Sequence, residues 1–158
     1  MRIGIGYDVH PLRPGRDLVI GGVRIENPLG LDGHSDADVL THAVIDSLLG
    51  AAGLGDIGEH FPASDPAYEG VSSQVLLAMA VSAVRQAGYR IVNVDSTVIA
   101  EQPHLQPHVG AIRKQLAKTL DVDSGAVSVK ATSPEGLGSL GREEGIAAQA
   151  VALIEATG

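Results

Sequence analysis

Apolar residues recur along this chain at two periods, and the switches between them divide it into strands and helices. Arg2 to Val9 alternates, with glycines at 4 and 6, and reads as a strand whose small residues let another backbone pack close. Pro11, Pro14 and Gly15 mark a turn, and Asp17 to Ile25 reads as a hairpin about Gly21-Gly22, a small edge ribbon. Pro28 to Gly33 is predicted as loop. Ser35, with Asp38 three residues on, resembles a capping box opening a helix over about Asp36 to Leu49. Within it Leu40, Ala43, Val44, Ser47 and Leu48 repeat at helical spacing and are predicted to face the core.

Gly50 to Gly70 is rich in Gly, Asp and Pro, too irregular for an element and too long for an idle connector, so it is a place to look for function. Ser72 to Ala87 reads as a second helix ended by Gly88, and Arg90 to Ala100 as a β-branched strand. After Pro103 and Pro107, Val109 to Leu120 is predicted as a third helix, Ala126 to Thr132 as a strand, and Ser133 to Gly138 as a turn-rich loop. Ile146 to Ile154 fits both periods: its alanines favour a helix, while Ile146, Ala148, Ala150, Ala152 and Ile154 fall two apart. There is no internal repeat or linker. The expected fold is one α/β domain over residues 1–158, a two-layer sandwich with helices packed on one face of a mixed β-sheet.

Composition narrows the chemistry. Aromatics are only 3% of 158 residues, so Val, Ile, Leu and Ala must make the core. The formal charge of −8 argues against a broad surface for nucleic acid. An anionic ligand would have to be met locally, by metal ions, backbone N–H groups and a few residues such as Arg142 and Lys130. There is no cysteine, hence no disulfide or thiolate chemistry. No apolar stretch approaches a membrane span and the N-terminus lacks the layout of a signal peptide, so a cytoplasmic protein without a membrane partner is expected.

Asp8 and His10 stand two apart in the first strand, which puts a carboxylate oxygen and an imidazole nitrogen on one face. With His42 in the first predicted helix they form a three-ligand proposal for zinc, one position short of a closed tetrahedron, as in catalytic sites. Asp46, four residues beyond His42, reads either as a partner for the second imidazole nitrogen or as a solvated carboxylate. His34 and Ser35 precede the first helix, where free N–H groups favour an anion. Lys130 to Glu135 offers hydroxyls at a strand end and, in Glu135, an oxygen ligand for a hard cation, or else an ordinary Ser/Thr/Pro turn.

The order and phrasing of Gly6-Tyr7-Asp8-Val9-His10, Gly33-His34-Ser35-Asp36-Ala37-Asp38 with His42, Gly55-Asp56-Ile57-Gly58 with Phe61-Pro62, and Gly138-x-x-Gly141-Arg142-x-x-Gly145 is specific. The whole chain resembles the 2-C-methyl-D-erythritol 2,4-cyclodiphosphate synthase family of the non-mevalonate isoprenoid pathway. The resemblance implies a phosphorus–oxygen lyase acting on 4-diphosphocytidyl-2-C-methyl-D-erythritol 2-phosphate, whose 2-phosphate attacks the β-phosphorus, closes an eight-membered ring and expels CMP. It implies Zn2+ on Asp8, His10 and His42, and Mg2+ or Mn2+ at the diphosphate, contacted by Glu135. His34 and Ser133 would be catalytic, steadying the transition state. Substrate contacts are implied at Asp8, Val9, His10, His34 and Ser35, at Asp56, Ile57 and Gly58, and along Phe61, Pro62, Ala63, Ser64 and Asp65. Further contacts are implied along Ala100, Glu101, Gln102, Pro103, His104, Leu105 and Gln106, along Ala131, Thr132, Ser133, Pro134 and Glu135, and at Ser139 and Arg142.

By the same resemblance the protein is a homotrimer with active sites between subunits, residues 100 to 135 coming from the neighbour of the chain that supplies zinc, and Ile146 to Ile154 is a long strand. His104, Gln106, Ser133 and Ser139-Leu140 depart from residues common in the family, so nucleotide contacts are where this chain would differ. Two other readings stay open on the residues: a zinc-dependent phosphodiesterase or pyrophosphatase, and a non-catalytic, zinc-pinned anion-binding trimer.

Overall fold

The computed structural model describes residues 1–158. Seven strands run β1 (Arg2–Pro14), β2 (Leu18–Ile20), β3 (Val23–Ile25), β4 (Leu29–Leu31), β5 (Tyr89–Ile99), β6 (Val127–Thr132) and β7 (Gly145–Ala156). Among them lie α1 (Val39–Ala52), α2 (Ile57–His60), α3 (Ser73–Gln86), α4 (Val109–Leu120) and α5 (Gly138–Gly141). The main sheet has the order β4-β1-β7-β5-β6, and β2-β3 is a separate two-stranded ribbon. β7 is antiparallel to both β1 and β5, while β5 and β6 are parallel, so the sheet is mixed as expected.

Helix α1 lies on β1 and β7 because those strands present almost no side chain beneath it. A Cβ at Gly4 would stand 1.9 Å from the Ser47 carbonyl oxygen, and one at Gly6 1.9 Å from that of Ala43. Across the ladder Gly4 pairs with Ala152 and Gly6 with Ala150. The alanines that made the last segment look helical are thus the small floor on which a helix rests. Pairing on both edges makes it a strand, overriding the propensity of its residues.

The opposite face of β1 is uncovered. Ile3 is 72% and Ile5 63% exposed, with Tyr7, Val9 and Val151 exposed beside them, and Ile5 pairs directly with Val151. These side chains form one continuous apolar strip, the kind of surface that marks an interaction site.

Four expectations need correction. Pro11 and Pro14, read as part of a turn, lie inside β1, where Pro11 pairs with Gly145 and Pro14 with Leu29 at the end of the strand, and only Gly15 begins the turn. Leu29–Leu31, within the predicted loop Pro28 to Gly33, pairs with Leu12–Pro14 as β4; a three-residue strand is too short to show a period. The first helix starts at Val39 with Asp38 as N-cap, its side chain accepting from the Thr41 N–H, while the Ser35 hydroxyl accepts from the Ala37 N–H. Ala37 has a φ of 55°, which breaks the helix before Asp38. Gly50 to Gly70 does contain elements: α2, capped by Asp56, and a single 3₁₀ turn over Pro66–Tyr68, capped by Asp65.

Asp38 is fully buried, and burial pushes its carboxyl up. It is met by the N–H groups of Gly21 at 2.8 Å, Gly22 at 2.7 Å and Thr41 at 3.0 Å, and by the Thr41 hydroxyl at 2.7 Å. Gly21 and Gly22 have φ of 57° and 76°, the hairpin turn in which both amides point to one side. One carboxylate therefore ties the β2-β3 ribbon to the start of α1, which fixes where His34 to Asp38 runs past the end of β1.

Candidate metal centre and active site

Asp8 and His10 leave β1 on the α1 side, and His42 comes down from the first turn of α1 to meet them. His10 Nε2 lies 2.9 Å from Asp8 Oδ2, His42 Nδ1 3.0 Å from the same oxygen, and the two nitrogens are 3.1 Å apart. Three donors on a tetrahedral zinc with bonds of roughly 2.0–2.1 Å stand about 3.3 Å from one another. The observed triangle is only a few tenths of an ångström tighter, and its oxygen and two imidazoles are ligands that zinc prefers. The donor set fits the ion.

Hydrogen bonds support the fit. His10 Nδ1 is 3.0 Å from the Asp32 carbonyl oxygen, which only accepts, so Nδ1 carries the proton of the neutral ring and Nε2 is bare. Burial alone would raise the Asp8 carboxyl, but when the rings are protonated the hydrogen bonds and charge of His10 and His42 outweigh it and hold it at about 2. Burial likewise pushes His10 down, and the hydrogen bond and charge of Asp8 reverse this and raise it. Each shift says that this corner wants positive charge.

Asp8, His10 and His42 line a cavity of about 280 Å³ with His34, Ser35, Ile57, Gly58, Phe61, Ala63, Tyr68 and Leu76. His34 Nε2 is 3.2 Å from the Asp65 carbonyl oxygen, which pins it to the loop Phe61 to Asp65. Of that loop, Phe61 and Ala63 face the cavity, while Pro62 and Ser64 do not line it. Val9, between two metal-site residues, is on the uncovered face of β1, so its side chain points away from them. Asp56 is engaged as a cap, accepting from the Glu59 N–H at 2.9 Å.

Asp46 is not the partner of His42. Its Oδ1 accepts from the Ile57 N–H at 2.8 Å, meeting an otherwise free donor at the start of α2, and burial raises its carboxyl. Asp46 thus fixes the segment carrying Ile57 and Gly58. The second nitrogen of His42 instead faces the hydroxyls of Ser73 at 2.8 Å and Ser35 at 3.1 Å. Sequence reasoning missed Ser73 and Asp36 because Ser73 falls inside Ser72 to Ala87, which reads as an unrelated helix. Nor do His34 and Ser35 stand at a free helix N-terminus, since Asp38 already occupies the one behind them.

The remaining residues gather elsewhere. Ala100, Glu101, Pro103, His104, Leu105, Gln106, Ala131, Thr132 and Ser133 line a second cavity of about 170 Å³, which shares no residue with the first. Gln102 and Pro134 flank it in sequence without lining it. The Ser133 hydroxyl donates to Glu101 at 3.0 Å and accepts from the Glu135 N–H at 2.9 Å, leaving the exposed Glu135 carboxylate free. Glu135 is not among the residues grouped at Asp8, His10 and His42. Ser139 and Arg142 sit in and just after α5, outside both cavities; Arg142 pairs with Glu144 at 2.7 Å, and Lys130 with Asp95.

The YgbB family matches residues 1–155. A protein of Syntrophomonas wolfei named 2-C-methyl-D-erythritol 2,4-cyclodiphosphate synthase is 56% identical over 155 residues, covering 98% of this chain and 99% of its own length. The solved structure of 2C-methyl-D-erythritol-2,4-cyclodiphosphate synthase in its CDP-bound form has a TM-score of 0.90 at 35% identity, covering 98% of this chain and all of that one. The bifunctional IspDF from Campylobacter jejuni has a TM-score of 0.95 at 41% identity, and this chain spans 42% of its length. The chain belongs to the YgbB family.

Proposed function

We propose that this protein converts 4-diphosphocytidyl-2-C-methyl-D-erythritol 2-phosphate to 2-C-methyl-D-erythritol 2,4-cyclodiphosphate and CMP, as a phosphorus–oxygen lyase in the cytoplasm. The observation that carries the reading is the convergence of one oxygen and two nitrogens within 3.1 Å in the lining of a cavity, in a chain otherwise short of positive charge. A zinc ion held by Asp8, His10 and His42 would supply Lewis-acid neutralisation and one open position for a phosphate oxygen.

Phosphoryl transfer asks a protein for positioning and for charge at the oxygens where it develops. His34 and Ser133 are the groups assigned to that charge. Asp56, Ile57 and Gly58 would hold the erythritol, with Phe61 to Asp65 closing over it and excluding water. The cavity at Ala100 to Gln106 and Ala131 to Ser133 would take the cytidine. Glu135 offers a free carboxylate beside Ser133, which suits Mg2+ or Mn2+ completed by phosphate oxygens and water.

Because the two cavities are separate in one chain, the complete site would form between chains. The apolar strip of β1 and β7 supports a homotrimer that buries it. No helix is long and apolar enough to cross a membrane, and the charge of −8 suits neither a membrane surface nor nucleic acid as partner.

The test is phosphorus NMR of the products made by the zinc-loaded protein. Cyclic diphosphate with equimolar CMP supports the reading. CMP with linear methylerythritol phosphates would instead make the protein a hydrolytic phosphodiesterase or pyrophosphatase. A purely structural zinc would call for a fourth protein ligand, and only three residues are grouped here.

A further inference from the structure

We propose that Asp36 and Ser73 form a buried carboxylate–hydroxyl relay that fixes the tautomer of His42, leaving its Nδ1 bare for a cation, and so act as positioning residues for the metal centre. The inference rests on the metal-centre reading above.

Proton counting carries it. Ser73 is the first residue of α3 and fully buried, with its hydroxyl between Asp36 Oδ1 and His42 Nε2. A carboxylate only accepts, so the single hydroxyl proton goes to Asp36. The Ser73 oxygen is then left with lone pairs toward His42, 2.8 Å away, and Nε2 must bring the hydrogen. A neutral imidazole has one N–H. Nδ1 is therefore bare, and it is the atom 3.0 Å from Asp8 and 3.1 Å from His10 Nε2. Ser35 is compatible with this, since its oxygen, 3.1 Å from Nε2, has a lone pair for the same N–H while its own proton turns to the Ser73 oxygen 3.5 Å away.

The Asp36 carboxylate is itself held, by the Ser73 N–H at 2.9 Å and the Asp38 N–H at 3.2 Å. It cannot turn away from the hydroxyl without leaving both donors unmet. In the opposite tautomer, Nε2 and Ser73 would face each other with lone pairs, and an N–H would point into the space between Asp8 and His10. Metal-bound histidines are commonly set in this way by an acceptor on the far nitrogen. Here the carboxylate works through an intervening hydroxyl, contributed by a helix remote in sequence.

Asp36 also satisfies a free N–H at the start of α3, so a merely structural role must be separated from the relay. Ser73→Ala does this, because it keeps the Asp36 bond to the backbone of residue 73 and removes only the hydroxyl. Zinc affinity, measured by chelator competition, is expected to fall about 10- to 100-fold in Ser73→Ala and to recover in Ser73→Thr. In Asp36→Ala the freed hydroxyl proton can turn to Nε2. Nitrogen NMR of the metal-free protein, at a pH where the rings are neutral, should show His42 protonated at Nε2 natively and shifted toward Nδ1 in that variant. Native zinc affinity in Ser73→Ala, or a native His42 protonated at Nδ1, overturns the relay alone. A native protein that takes up no zinc overturns the metal-centre reading, and the relay with it.

Discussion

His10 Nε2 and His42 Nδ1 stand 3.1 Å apart, each ring held at its other nitrogen by an oxygen, the Asp32 carbonyl at 3.0 Å for His10 and the Ser73 hydroxyl at 2.8 Å for His42. Asp8 Oδ2 lies at 2.9 Å and 3.0 Å from them. With the rings neutral and these two nitrogens bare, three lone pairs face one another, and a cation between them turns that repulsion into binding.

Removing one ligand should empty the site without unfolding the chain. His42→Ala is expected to lower zinc affinity at least about 100-fold and to abolish turnover while keeping the native circular dichroism, because the lost ring lines a cavity and the rest of the core is untouched. Metal content after dialysis checks it; stoichiometric zinc in the variant would remove His42 from the ligand set.

The pH dependence has a sign on each side. Asp8 is held at about 2 against an ordinary 3.8, so its contribution to the metal-free protein is complete above 3.8 and lost as pH falls toward 2. His10 is raised above 6.5, so its contribution is complete below 6.5 and lost as pH rises through the folded value. Zinc needs both nitrogens bare, so the gain in Tm on adding zinc should grow as pH rises through that titration. Paired melts from about pH 5 to about pH 8 measure it, and a gain independent of pH would contradict the proton competition.

Shared sites can be tested by mixing two inactive proteins. His42→Ala damages the zinc half and Ser133→Ala, expected to slow turnover about 100-fold, damages the nucleotide half. Random reassortment in a trimer pairs the two intact halves in about a quarter of sites, so mixed and refolded chains should regain about a quarter of native activity. If each chain used its own halves, mixing would restore nothing.

Gly6 is a packing residue despite its place two before a metal ligand. Gly6→Ala would put a methyl 1.9 Å from the Ala43 carbonyl oxygen, and neither backbone can move without breaking a ladder or a helix turn. The expected loss is about 3 kcal/mol or more, read from the urea midpoint. A variant within about 0.5 kcal/mol of native would show that α1 can lift off β1.

Much was legible before folding wherever a local signal was strong. Val109–Leu120 and the helix ending before Gly88 follow apolar spacing and a glycine stop, and Asp8 with His10 share a face because a strand has period two. Asp46 and Ser35 were misread because both readings used sequence neighbours. The distant partners that compete for those groups, Ile57 for one and Ser73 for the other, are chosen by how α2 and α3 pack on α1.

Local order along the chain thus specified the periods, the turns and the ligand types, since each depends on residues a few positions apart. The meeting of β1 with α1, the strand identity of Gly145–Ala156 and the Asp36–Ser73–His42 chain depend on contacts across more than thirty residues. Such contacts exist only once the apolar faces are buried together, because burial is what brings distant backbone close and leaves each polar group only one place to find its partner.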